Sequence, residues 1–117
     1  MLLQMLKAKI HRAMVTGAEL DYEGSLALSP ALFEASGMLE GEKVQVVNVN
    51  NGSRLETYLI RGRPGEVCLN GPAARLGLPG DQVIIISYAL LTPEEARTFK
   101  PAIVFVDEKN RVTSTSG

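Results

Sequence analysis

Two stretches of this chain say the same thing twice. Leu39-Glu40-Gly41-Glu42-Lys43-Val44-Gln45-Val46-Val47 aligns without a gap on Leu78-Pro79-Gly80-Asp81-Gln82-Val83-Ile84-Ile85-Ile86. Both read Leu-x-Gly-acid-x-Val-x-aliphatic-aliphatic: a glycine turn and an acid feed directly into a strand. A duplicated half-barrel accounts for the echo better than coincidence among residues common at strand entries. Further strand-length segments lie around the two copies. Many short strands with an internal repeat point to a mainly β chain closed into a small barrel, which leaves no long sheet edge exposed.

The rest of the chain fits that frame. Residues 2–18 alternate loosely, as one or two short strands, and on a strand Lys9 and His11 face the same side. Ser25 to Leu28 is a short strand. Ser29-Pro30 opens a helix, with Ser29 at the N-cap and Pro30 in the first turn, and Gly37 ends it. Residues 43–50 form a strand, Asn51-Gly52 a hairpin turn, and Arg54 to Arg61 the return. Glu66 to Leu69 is another strand, and Pro72 to Leu76 one helical turn. Residues 82–90, apolar and β-branched, read as a central strand. Thr92 and Glu95 make a capping box for a short helix. Ala102 to Asp107 is the last strand, and the polar residues 109–117 are expected to be a flexible tail.

Composition bounds the function. At 117 residues with 45% hydrophobic content, the chain is expected to be a single domain. A net charge of −1 and 5% aromatic residues without tryptophan argue against a nucleic-acid partner. The lone cysteine, Cys68, excludes an internal disulfide, suits a reducing compartment and reads as a small core residue. The single histidine excludes a histidine-based metal cluster. The opening residues resemble no signal peptide and no apolar run is long enough to span a membrane, so a cytoplasmic protein without membrane association is expected.

The candidate chemistry sits at Gly24-Ser25. A serine hydroxyl can attack the carbonyl preceding it if the fold strains that linkage and stabilises the oxyanion. Gly24, lacking a Cβ, can enter conformations closed to other residues. The amide would become an ester, elimination would leave dehydroalanine, and hydrolysis would leave a pyruvoyl group. On the Arg54–Tyr58 strand, Arg54, Glu56 and Tyr58 share one side, and Leu55 and Thr57 the other. Arg54 can grip a carboxylate with two hydrogen bonds, and Tyr58 can protonate a carbanion. On local grounds alone, Tyr58 could equally be a half-buried strand residue, and Arg54 a surface partner of Glu56. The Asn70-Gly71-Pro72-Ala73 loop could bind an anion through backbone N–H groups, or be an ordinary turn. A non-catalytic barrel that binds small anions or a protein partner is the alternative these residues leave open.

Taken together and in order, the residues carry a family resemblance. Lys9-x-His11-Arg12, Val15-Thr16, Asp21-Tyr22-Glu23-Gly24-Ser25, Asn48-x-x-Asn51-Gly52, Arg54-x-x-Thr57-Tyr58, Asn70-Gly71-Pro72-Ala73-Ala74, Gly80-Asp81 and Glu94-Glu95-Ala96-Arg97 resemble the pyruvoyl-dependent aspartate α-decarboxylases (aspartate 1-decarboxylases). The resemblance runs from residue 1 to about 107. It implies a double-psi β-barrel with short helices, assembled as a homotetramer with active sites between subunits. It also implies self-cleavage into residues 1–24 and 25–117. Ser25 is then the precursor of a covalent pyruvoyl group, with no metal and no pyridoxal phosphate. Gly24 becomes the end of the short chain, Tyr58 the proton donor, and Thr57 a substrate contact that assists cleavage. Lys9 and Arg54 become carboxylate binders, and Gly71, Pro72 and Ala73 the backbone-binding loop. His11, Tyr22 and Asn70 become supporting pocket residues. The implied reaction converts L-aspartate to β-alanine and CO2 through a Schiff base, for pantothenate and coenzyme A synthesis. A maturation factor is left open as a further partner. Pro72 departs from the small residues frequent at its position, and having no N–H it leaves any anion contact to its neighbours.

Overall fold

The computed structural model describes residues 1–116. In chain order the elements are β1 (Leu3–Met14), β2 (Gly17–Glu19), β3 (Ser25–Leu28), α1 (Pro30–Ser36), β4 (Lys43–Asn48), β5 (Arg54–Arg61) and β6 (Val67–Asn70). A 3₁₀ turn (Gly71–Arg75) follows, then β7 (Gln82–Leu91), α2 (Pro93–Thr98), β8 (Ala102–Val106) and β9 (Val112–Ser116). The hydrogen-bonded order is β2-β6-β3-β5-β4-β7-β1-β8-β9. β1 and β2 are separated only by Val15 and Thr16, yet β2 pairs with β6 at the far end of that order. Thr16 N–H also reaches the Val67 carbonyl at 2.8 Å. The continuous β1–β2 segment therefore closes the sheet on itself through β6, β3, β5, β4 and β7. This is a six-member barrel with β8 and β9 added outside β1, as the double-psi β-barrel expectation requires.

The sequence repeat is a structural two-fold. β4 and β7 pair antiparallel with Val46 opposite Ile85, and these two occupy the same position in each copy. The entry turns match bond for bond. Leu39 N–H donates to Glu42 Oε1 and Leu78 N–H to Asp81 Oδ2, both at 3.0 Å. Gly41 N–H reaches the Leu59 carbonyl at 2.7 Å, and Gly80 N–H the Val15 carbonyl at 2.8 Å. Gly41 and Gly80 sit at φ of 83° and 94°, where a side chain is disfavoured, which is why both copies keep glycine.

Alternation sends Ile10, Val44, Val46, Leu59, Val83 and Ile85 into one buried cluster inside the barrel. β3 and β6 are buried on both faces. Their register puts Leu26 opposite Leu69 and Leu28 opposite Val67, all in that cluster. Ser25 opposite Asn70 and Ala27 opposite Cys68 occupy the other face. Cys68 is thus buried, as expected, but it lies outside the main core cluster.

Two expectations change. The Ser29 side chain makes no capping bond to α1, because its Oγ accepts from Gly65 N–H at 2.9 Å. Within the expected flexible tail 109–117, Val112–Ser116 forms β9 against β8, and Gly117 lies outside the described residues. Asp107 anchors that return: its Oδ1 accepts from Lys109 and Arg111 N–H, both at 2.9 Å, and its Oδ2 pairs with the Arg111 guanidinium. Buried Asn110 ties the same turn to Met14 and to the Gly65 carbonyl.

Candidate active site

β3 and β6 bring Ser25 and Asn70 together because they are cross-strand partners. Ser25 is 1% exposed. Its Oγ accepts a hydrogen bond from Asn70 Nδ2 at 3.0 Å and donates to the Glu23 carbonyl at 3.2 Å. Asn70 Oδ1 in turn accepts from the Cys68 thiol at 3.4 Å. Burial, then Glu66 and Glu19, push the Cys68 thiol above its ordinary range, so it keeps its proton at neutral pH.

The glycine under conformational demand is Gly71, next door to the expected Gly24. Gly71 has φ +65°, whereas Gly24 is not among the positive-φ residues. A Cβ on Gly71 would sit 2.8 Å from Gly24 Cα and N, and 2.9 Å from the Tyr22 carbonyl oxygen. Gly71 thus lets its backbone approach Gly24 closely, and Gly24 itself is not at a positive φ. The Pro72 ring flanks it, with Cδ at 3.7 Å from where a Gly24 Cβ would stand.

A cleft of about 340 Å³ opens beside this contact. Gly24, Thr57, Tyr58, Asn70, Pro72 and Ala73 line it. Thr57 and Tyr58 point to opposite sides of β5, yet both reach the cleft because it lies over that strand's edge of the barrel. No bulge is needed.

Lys9, His11, Arg54 and Tyr22 do not line that cleft. Paired residues across a sheet share a face, so Lys9, Ile86, Gln45 and Glu56 form one outward row across β1, β7, β4 and β5. Three strand spacings separate Lys9 from Glu56, about 14 Å. Arg54, two residues from Glu56, shares that face and donates to Gln45 Oε1 at 3.3 Å, which also accepts from Tyr88 OH at 2.8 Å. The simple Arg54–Glu56 pair does not form: Glu56 meets Lys43 at 3.4 Å. Tyr22 is 58% exposed and borders a separate groove with Arg61 and Arg63. His11 packs edge-on to Phe105 at 5.7 Å, and its Nδ1 has no hydrogen-bond partner among the described residues. Burial, then Lys9 and Arg12, lower its pKa, so the ring is neutral at neutral pH. Among the described residues no group of three His, Cys, Asp or Glu is placed to hold a metal. Nor is any helix long and apolar enough to cross a membrane.

The Cys68–Asn70–Ser25 chain and the Gly71 contact were not singled out from sequence. The alternate spacing of Cys68 and Asn70 on a short strand was the available signal for the first. Nothing local signalled the second, which joins residues far apart in the chain.

The fold and the site define a small closed β-barrel with a hydroxyl-bearing cleft. Comparison with known proteins supplies the particular kind: the chain belongs to the aspartate decarboxylase family. The family's sequence model, described as Aspartate decarboxylase, matches residues 1–113. A protein named aspartate 1-decarboxylase from Salinibacter ruber is 64% identical over 115 residues, covering 97% of this chain and 79% of its own. One of the same name from Clostridium beijerinckii is 57% identical over 114 residues, covering 96% and 92%. Another, from Campylobacter jejuni, is 63% identical over 110 residues, covering 93% and 87%.

Proposed function

We propose that the chain removes the α-carboxylate of L-aspartate, giving β-alanine and CO2 for pantothenate and coenzyme A synthesis, by means of a pyruvoyl group made from Ser25. It would work in the cytoplasm. The observation that carries this reading is the enclosure of one peptide bond. The Ser25 hydroxyl is held between Asn70 and Glu23, and the Gly71 backbone packs closely against Gly24, with no room for a Cβ between them. A buried serine fixed in this way suits a group built from the backbone itself. The family membership supports the same reading.

In maturation, Ser25 Oγ attacks the Gly24 carbonyl carbon and the C–N bond breaks, giving an ester and a free amine. A base removes the Ser25 Cα proton, and the Cβ–Oγ bond breaks. Oγ leaves with Gly24 as its new carboxylate. Water then replaces the nitrogen of the resulting enamine, releasing ammonia. Asn70 Nδ2–H, already on Oγ, can stabilise the charge that gathers there as the bond breaks. Thr57, beside Gly24 in the cleft, is assigned to the oxyanion of the first step. The products are residues 1–24 and 25–117.

A pyruvoyl group supplies a ketone that takes up the substrate amine and withdraws the electrons left as CO2 departs. Arg54 grips the carboxylate that remains, with Lys9 adding positive charge. Tyr58 OH delivers the proton to the substrate α-carbon. Gly71 and Ala73 offer backbone contacts, and Pro72 a wall. His11, Tyr22 and Asn70 complete the pocket. Lys9 and Arg54 do not line the chain's own cleft, although Glu56 and Tyr58, on the same side of β5 as Arg54, do. A second subunit that brings its own Lys9 and Arg54 to the cleft would complete the site, as in a homotetramer with sites at subunit boundaries. A maturation factor that binds the precursor is compatible with this scheme.

The test is β-alanine formation from L-aspartate by the purified protein. Wild type turns over, and Ser25→Ala stays one uncleaved, inactive chain. A fully active, uncleaved Ser25→Ala protein would end the proposal.

A further inference from the structure

Cys68 is buried, and its thiol meets the side chain of Asn70, the cross-strand partner of the reactive serine. It lies outside the core cluster, on the same face of the β3–β6 pair as Ser25 and Asn70. Its sulfur is hemmed in: a Cβ on Gly17 would lie 3.3 Å from Sγ. A thiol fixed there faces the Asn70 amide at 3.4 Å.

An amide side chain has an acceptor end and a donor end, and either can face a given neighbour. A thiol is a weak donor and a still weaker acceptor, so it favours the oxygen end. With Oδ1 turned to Cys68, Nδ2 must face Ser25, as it does at 3.0 Å. The Ser25 O–H is then free to donate to the Glu23 carbonyl, at 3.2 Å. Turning the amide over would present Oδ1 to Ser25. The hydroxyl proton would then go to Asn70, the Glu23 carbonyl would lose its donor, and Oγ would lose the N–H that stabilises it on leaving.

We infer that Cys68 is a positioning residue for maturation: its S–H selects the Asn70 amide orientation that places a donor on Ser25 Oγ. The inference rests on the self-cleavage reading. It assigns Cys68 no contact with substrate and no nucleophilic part.

The test follows the conversion of freshly made precursor to two chains by denaturing mass spectrometry over time. Cys68→Ala and Cys68→Val remove the donor, one leaving space and the other filling it. Cys68→Ser keeps a donor. Both donor-free variants should cleave more slowly by roughly three- to tenfold, the scale of one modest hydrogen bond acting on a barrier. Cys68→Ser should cleave at close to the wild-type rate. Melting temperatures, measured in parallel, separate slow maturation from poor folding.

Wild-type-rate cleavage by either folded donor-free variant overturns the inference. So does slow cleavage by a folded Cys68→Ser, which also decides the matter if neither donor-free variant folds. Failure of wild type itself to cleave would instead remove the parent reading, and this inference with it.

Discussion

Gly71→Ala is the substitution whose cost the structure specifies most fully. Position 71 has φ +65°, where an L side chain costs about 1–2 kcal/mol. The new Cβ would meet Gly24 Cα and N at 2.8 Å and the Tyr22 carbonyl at 2.9 Å. These are backbone atoms and cannot rotate away, so an overpacking cost of about 1–3 kcal/mol is added. The sum, about 2–5 kcal/mol, should lower the melting temperature of the uncleaved chain by about 10–25 °C. Gly37→Ala is the matched control. It has φ +75° and nothing within 4 Å of its Cβ, so it pays the backbone cost alone. Both should be measured in the Ser25→Ala background, because cleavage would free Gly24 to move and relieve the clash. With Ser25 restored, Gly71→Ala should also cleave roughly tenfold or more slowly, since a sub-ångström displacement of the reacting bond is costly. Gly37→Ala should cleave normally. If the two variants show the same stability and the same maturation rate, Gly71 does not position Gly24.

Two further outcomes follow from the same contacts. Asn110→Ala should destabilise the fold by about 3–5 kcal/mol, read by thermal or urea unfolding. It loses bonds to Met14 N–H (2.7 Å), the Met14 carbonyl (2.8 Å) and the Gly65 carbonyl (3.0 Å), and leaves alanine at φ 60°. For His11, whose folded-state pKa lies below its ordinary 6.5, the unfolded chain takes up the proton first as pH falls. Stability should therefore decline from about pH 6.5 downward until the folded ring is also charged, and His11→Gln should flatten that part of the unfolding-versus-pH curve.

The strand skeleton was legible because alternation and turn chemistry are local. β3 and β5 occupy the residues expected of them, and the capping box of Thr92 and Glu95 forms with both bonds present. The repeat was legible at a deeper level, since its two copies meet at the Val46–Ile85 pair. What escaped was whatever depends on partners distant in sequence. Polar Val112–Ser116 read as a tail because its strand is exposed along its length and has no buried face to reveal it. Ser29 read as a cap because nothing local shows that Gly65 claims its hydroxyl. Strain was expected at Gly24 because the reacting bond is there, but the positive φ belongs to Gly71, 47 residues on in sequence. Lys9 and Arg54 could be assigned a chemistry, but strand alternation does not say which outward residues reach the cleft, and neither of these two lines it.

The measurement that bears most directly on this account is the intact mass of freshly purified, catalytically competent protein under denaturing conditions. Two chains should appear, residues 1–24 and residues 25–117, with the longer one short of an ammonia at its new end. A single 117-residue mass with an ordinary serine at position 25, in protein that still decarboxylates aspartate, would contradict it.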